Sequence, residues 1–196
     1  MIRRSCTIVL ACAGLAACAA PAYVSPVEVT RFVGAAPAQL GTGTISVEFG
    51  PGLQRSPNES VYRTAVEREL ASLGYSVRPS GGAQVAQVSL EQFVDDPDAG
   101  RRPVSVGGGA SVGSYGSGVG LGIGLDLTPR AAERLDTRLA VAIRPGAGTE
   151  NLWEGRAQMI ASANSNYADQ TAAAARLAAA LFSNFPGISG ETIQVD

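Results

Sequence analysis

The sequence predicts an α+β domain: a mainly antiparallel β-sheet with two α-helices packed on one face, plus a glycine-rich β-hairpin insertion. Three observations lead there. Short stretches of apolar/polar alternation recur along the chain. Two stretches carry apolar residues at helical spacing. Between them lies a glycine-rich run whose apolar residues keep a period of two.

Taken in order, Val27-Glu28-Val29-Thr30-Arg31-Phe32-Val33 alternates weakly and reads as an edge strand. In Gly43 to Phe49 the pattern is clearer, with Ile45, Val47 and Phe49 on one face and Ser46 and Glu48 on the other. Ser56, Pro57 and Glu59 then form a helix start with a Ser-x-x-Glu capping box. Tyr62, Ala65, Val66, Leu70 and Leu73 make its apolar face, and Gly74 supplies the left-handed residue that ends it. The Glu67-Arg68-Glu69 cluster belongs to the solvated side of this helix. Tyr75-Ser76-Val77 is a short strand turned by Pro79 to Gly82, and Ala86, Val88, Leu90 and Val94 share a face of a longer one. Asp95-Asp96-Pro97-Asp98 is an acidic turn, because its spacing lacks the EF-hand's twelve-residue frame and terminal Glu.

After the insertion, Leu135, Thr137, Leu139, Val141 and Ile143 alternate with polar or small residues. Pro145 to Gly148 turns the chain into a second arm with Trp153, Ala157 and Met159 on one face and Gly155 between them, so the two arms read as a hairpin with Trp153 in the core. The second helix is expected from about Tyr167 to Asn184, with the face Ala174, Leu177, Ala178, Leu181 and Phe185, stopped by Pro186-Gly187.

In the insertion, residues 103–127, Val104, Val106, Ala110 and Val112 precede Val119, Leu121, Ile123, Leu125 and Leu127. A fold at Ser114 to Ser117 would pair Val112 with Val119, Ala110 with Leu121, Val106 with Leu125 and Val104 with Leu127. The apolar face so formed needs cover from the domain's sheet, another copy of the chain, or lipid. A phosphate loop is excluded, since no Lys-Ser/Thr follows the glycines.

The N-terminus carries a different kind of signal. Arg3 and Arg4 precede an apolar run, Thr7 to Leu15, which is well short of the roughly 20 residues that cross a bilayer. It ends in Leu15-Ala16-Ala17-Cys18, a signal-peptide layout with Cys at the cleavage point. Leu-Ala-Ala-Cys resembles the bacterial lipobox, which implies diacylglycerol on the Cys18 thiol and Cys18 as the new N-terminus. The organisation expected is therefore a signal peptide at 1–17, a lipidated tether at 18–26, and one periplasmic domain at 27–196. Ala19 and Ala20, in place of Asp after the Cys, resemble outer-membrane sorting.

Composition narrows the chemistry. All 15 basic residues are Arg, with no Lys and no His. Loss of Arg3 and Arg4 leaves 13 basic against 17 acidic residues, a net charge of −4, which argues against nucleic acid as a partner. Without His there is no Ser-His or Cys-His pair and no histidine zinc site; without Lys there is no Schiff base. Of the 3 cysteines, Cys6 and Cys12 leave with the signal and Cys18 carries lipid, so the domain has no free thiol. Carboxylate pairs remain as a chemistry, but no spacing singles one out. No catalytic residue, metal ligand or cofactor site is assigned.

Several local strings add a resemblance. They are Thr30-Arg31-Phe32, Gly43-Thr44-Ile45, Ala65 to Leu70 with Leu73-Gly74-Tyr75, Pro103 to Gly107, Leu152 to Ala157, and Phe185-Pro186-Gly187. With the lipobox, their order resembles an uncharacterised domain-of-unknown-function family of proteobacterial outer-membrane lipoproteins. The resemblance implies a non-enzymatic, lipid-anchored module of the envelope, and carries over one functional residue, Cys18. The expected partners are membrane lipid through Cys18 and envelope proteins or further copies of the chain. Two other classes are weighed: a carrier of small apolar ligands between helices and sheet, and a carboxylate-based envelope hydrolase.

Overall fold

A computed structural model describes residues 20–50, 58–97, 99, 104–113, 116–125 and 131–196, with backbone pairing alone for 104–113 and 116–125. Among the described residues, nine strands and two α-helices follow in the order β1 (Val27–Val33), β2 (Thr44–Phe49), α1 (Glu59–Ser72), β3 (Ser76–Arg78), β4 (Gln84–Asp95), β5 (Val104–Gly113), β6 (Gly116–Leu125), β7 (Arg134–Pro145), β8 (Trp153–Ser162), α2 (Gln170–Phe182) and β9 (Thr192–Val195). The chain divides into two compact units. Ala22–Asp95 and Glu133–Asp196 make the larger; Asp96–Ala132 belongs to the smaller.

The larger unit is an α+β fold built on one seven-stranded sheet, ordered β3-β2-β4-β7-β8-β1-β9. The predicted hairpin is its centre: β7 and β8 are antiparallel, with Leu139 opposite Ala157 and Ile143 opposite Trp153. Only β2 is parallel to its neighbours, β3 and β4. The chain passes from β3 to β4 across the start of β2, and Gly82 makes the crossing. A Cβ there would lie 2.5 Å from the Ser46 backbone nitrogen, so the backbones meet where any side chain would stand.

Both helices cover the same face of the sheet. From the sheet, Val27, Val29, Ile45, Val47, Ala86, Val88, Leu139, Val141, Ile143, Trp153, Ala157 and Met159 point inward. From α1 come Tyr62, Ala65, Val66 and Leu70, and from α2 Ala174, Leu177, Ala178 and Leu181, as the spacing predicts. Gly74 has φ +103°, the left-handed value expected at the end of α1.

Trp153 is fully buried and stacks on Phe182 at 5.4 Å, with Phe185 tilted against it at 5.2 Å. Its Nε1 donates to the Pro186 carbonyl at 2.9 Å. The indole lies over Gly155, where an added Cβ would be 2.3 Å from the ring, so the glycine makes room for the tryptophan two residues before it.

Several expectations need correction. Strand β1 is interior, not an edge, because the unforeseen β9 pairs along its outer side, with Val27 opposite Val195 and Thr30 opposite Thr192. Helix α1 begins at Glu59, with Asn58 at the cap position; Ser56 and Pro57 lie outside the described residues. Helix α2 begins at Gln170, because Asp169 caps it by accepting from the Ala172 N–H at 2.9 Å, and Asn166–Ala168 forms a separate 3₁₀ turn. Val94 is 67% exposed, because β4 runs past the helices before it ends. The stretch expected as tether is docked from Tyr23 onward, through bonds described below.

In the smaller unit β5 and β6 pair antiparallel, with Gly113 opposite Gly116. The register differs from the expected one by two residues: Val106 meets Ile123 rather than Leu125, and Val112 meets Ser117 rather than Val119. What covers the apolar residues of these strands lies outside the described side chains.

Beneath the helix N-termini sits a buried polar patch. Gln92 Nε2 donates to Gln170 Oε1 at 2.8 Å and to Thr137 Oγ1 at 3.4 Å, and Tyr62 Oη donates to Gln170 Oε1 at 3.3 Å. Burial pushes the Tyr62 hydroxyl up to about 12, a hydrogen bond with Thr137 opposing it. Unfolded, Tyr62 ionises near pH 10. The contribution is therefore fully present below pH 10 and lost as pH rises towards 12, about 3 kcal/mol in all. Urea midpoints of wild type and Tyr62→Phe are expected to diverge in this window, only the wild type showing this component of the alkaline loss.

Candidate functional site

Within the larger unit the helices cover one face of the sheet, and its other face is where that unit presents its chemistry. Alternation in β1, β4, β7 and β8 puts Val29, Val88, Leu139 and Ala157 inside, so their neighbours face outward. Register then sets those neighbours in rows across four strands. Glu91 lies opposite Arg138, Arg138 opposite Gln158, and Gln158 opposite Glu28. The next row runs Ser89, Ala140, Arg156 and Thr30. At one corner Phe93 lies opposite Asp136; at another Phe32 lies opposite Glu154.

The rows line a hollow of about 590 Å³, with Glu28, Glu91, Arg138 and Arg156 as its charged groups and Phe32 on its wall. Arg138 is fixed: Nη2 pairs with Asp136 Oδ2 at 3.0 Å, and the guanidinium lies 5.1 Å from the centre of the Phe93 ring. Gln158 Nε2 donates to the same Asp136 oxygen at 3.1 Å. Arg156 differs. Its row neighbours Ala140 and Thr30 are small, and among the described residues it makes no hydrogen bond or ion pair. The two phenylalanines stay accessible, Phe32 at 45% and Phe93 at 50%. A free guanidinium, one held upright by its neighbours, and two exposed aromatic rings form a surface suited to protein contact.

Two other chemistries find less support in this geometry. Glu28 and Glu91 line one hollow but stand three strand spacings apart, about 14 Å between backbones, beyond the separation of a hydrolytic carboxylate pair. The helix–sheet junction is filled by Trp153, Tyr62, Leu70, Leu177 and Leu181. Among the described residues no cluster of acidic, His or Cys side chains is placed to hold a metal.

The one site residue read from the sequence, Cys18, lies outside the described residues. Nearby geometry is informative nonetheless. Tyr23 N–H donates to Ser162 Oγ at 2.8 Å, and Ser162 N–H to the Tyr23 carbonyl at 2.8 Å. Ser25 exchanges two bonds with Ile160, each 2.9 Å, and its carbonyl accepts from Arg176. Arg134 lies 4.9 Å over the Tyr23 ring. The strap is thus part of the fold.

Three of the strings singled out in the sequence, around Arg31, Trp153 and Pro186, meet in one place. Arg31 is 3% exposed and closes the end of α2: Nε donates to the Leu181 carbonyl at 3.0 Å, and Nη2 to the Ala180 carbonyl at 2.9 Å and Ser183 Oγ at 3.0 Å. Burial lowers the pKa of its guanidinium, and Glu191 opposes that shift. Gly187, at φ +80°, lies against the Arg31 side chain, where a Cβ would be 2.9 Å from Cδ. Arg31, Trp153, Gly155, Pro186 and Gly187 are one packing cluster, on the side of the sheet away from the open face.

No family model matches the sequence, and no curated protein does. Among solved structures the chain is similar to a PDZ domain protein from Parabacteroides distasonis, at 16% identity and a TM-score of 0.48, over 88% of this chain and 38% of that one. It is also similar to the PelC dodecamer from Paraburkholderia phytofirmans, at 10% identity and a TM-score of 0.47, over 80% of this chain and 95% of that one. Likenesses at this level carry no argument about function, which is taken below from this chain's own residues.

Proposed function

We propose that this chain is a non-enzymatic lipoprotein of the bacterial envelope, anchored to the outer membrane through acylated Cys18, which offers the open face of its sheet to a protein in the periplasm. The observation that carries the reading is the face left open within the larger unit, where Arg156 makes no bond among the described residues and Phe32 and Phe93 are exposed, beside a core whose interior is filled. Leu15-Ala16-Ala17-Cys18 supports the anchor. Two or three acyl chains, at about 0.8 kcal/mol per buried CH₂, make detachment negligible.

The test has two parts. Cells fed a clickable palmitate analogue are expected to label wild type and not Cys18→Ser; label retained by the variant overturns the anchor. Crosslinking in the envelope, followed by purification, is expected to recover a partner with wild type. Arg156→Glu combined with Phe32→Ser should lose it while acylation and thermal midpoint hold. Equal recovery with that double variant removes the open face from the reading.

A further inference from the structure

We infer that the end of the larger unit bearing Tyr23 and Val94 rests on the surface of the bilayer that holds the acyl chains, with a zwitterionic lipid surface as its partner. The inference rests on acylation at Cys18. Because the strap is bonded to β8 from Tyr23 onward, the chain free to span between lipid and domain is short. From Cys18 to Tyr23 there are five residue steps, which reach at most about 17 Å when fully extended. Strands β4 and β7 have 12 residues each, about 40 Å of sheet. The tether is thus less than half as long as the domain, and the strap's end of the sheet is the one kept at the headgroups.

That end has the surface such a position needs. Val94, Leu135, Ala161 and Val24 form a row across the ends of β4, β7, β8 and the strap. Val94 is 67% exposed and Tyr23 44%. A hollow of about 200 Å³ opens beside Val94, with Leu135, Ala161, Ala163 and Ala168 completing its apolar lining and Glu133 and Arg134 also on its wall. A tyrosine with an apolar body and polar tip suits the interfacial zone. The charges select the lipid. Asp95, Glu133 and Asp169 all lie at this end, against Arg134 and Arg176, so headgroups bearing an amine are accommodated and an anionic surface is repelled.

The mature chain makes the test clean, since its one cysteine is consumed by the anchor. Acylated full-length protein with Val94→Cys or with Thr149→Cys, the latter in the turn at the far end of the sheet, is labelled with a thiol-reactive fluorophore. Each is bound to phosphatidylethanolamine/phosphatidylcholine vesicles containing nitroxide-headgroup lipid. Quenching at position 94 is expected to exceed that at 149 roughly threefold, given the 40 Å between the ends. Adding phosphatidylglycerol should shrink the difference. Equal quenching, or stronger quenching at 149, in protein that floats with the vesicles overturns the docked orientation and leaves the anchor standing. Failure of both variants to float, with Cys18→Ser behaving the same, overturns the anchor and the docking together.

Discussion

Trp153→Ala is expected to lower the domain's stability by about 3–5 kcal/mol, the usual cost of emptying a large buried aromatic site. In a chain of this size that corresponds to a fall of about 10 °C or more in thermal midpoint. The ring is fully buried, stacked on Phe182 and tilted against Phe185, and its Nε1–H holds the Pro186 carbonyl. Truncation opens a cavity between β8 and the end of α2, and leaves that carbonyl without its donor. The backbone around Gly155 offers no side chain to refill the space. Calorimetry or a circular-dichroism melt reads the effect directly. A midpoint within a degree or two of wild type would show that the indole does not hold the two layers together.

Arg31→Leu is the second large effect, expected at about 2–4 kcal/mol. Hydrogen bonds from a charged group to buried carbonyls contribute more than neutral ones, and acceptors left unpaired cost their desolvation. Two such bonds end here, on the Leu181 and Ala180 carbonyls at the negative pole of α2, with a third on Ser183 Oγ. Lysine supplies a point charge but not the planar fork, so Arg31→Lys should recover only part of the loss. Urea unfolding of the three proteins checks the order: wild type, then lysine, then leucine. A leucine variant as stable as wild type would mean that hydrophobic burial replaces the cap without loss, as happens when a buried charge is traded for packing.

The core was legible in the sequence because one-sided burial imposes a period. Trp153, Gly155, Ala157 and Met159 sit two residues apart on a strand, and Tyr62, Ala65, Val66 and Leu70 at helical spacing, so each pattern names its own face. Arg31 was not legible as buried, because its alternation puts a charge where a hydrophobe is expected, and only the end of α2 explains it. Strand β9 escaped notice because four residues carry too little pattern, and its place depends on β1 being there to receive it. The open face escaped for a related reason. Glu28, Glu91, Arg138 and Arg156 each read as an ordinary solvent-side residue in its own strand. What makes them neighbours is the pairing of β1 with β8 and of β4 with β7, between segments far apart in sequence. The anchor proposed at Cys18 rests on a linear signal, which is read without any fold.

The position of β1 between β8 and β9 has a consequence for how this domain is made. Thr30 and Thr192, whose hydroxyls meet at 2.7 Å, are 162 residues apart in the chain. Strand β1 therefore has both of its neighbours far downstream in the chain. Contacts of such separation require closure of a long loop before they return any free energy, which slows folding. Until then Val27 and Val29 have no layer to enter, and the strand exposes an unpaired edge on both sides, the condition in which strands pair with the wrong chain. Completion of this sheet is thus a late event: the hairpin of β7 and β8 is local and can form early, while β1 waits for β8 and β9.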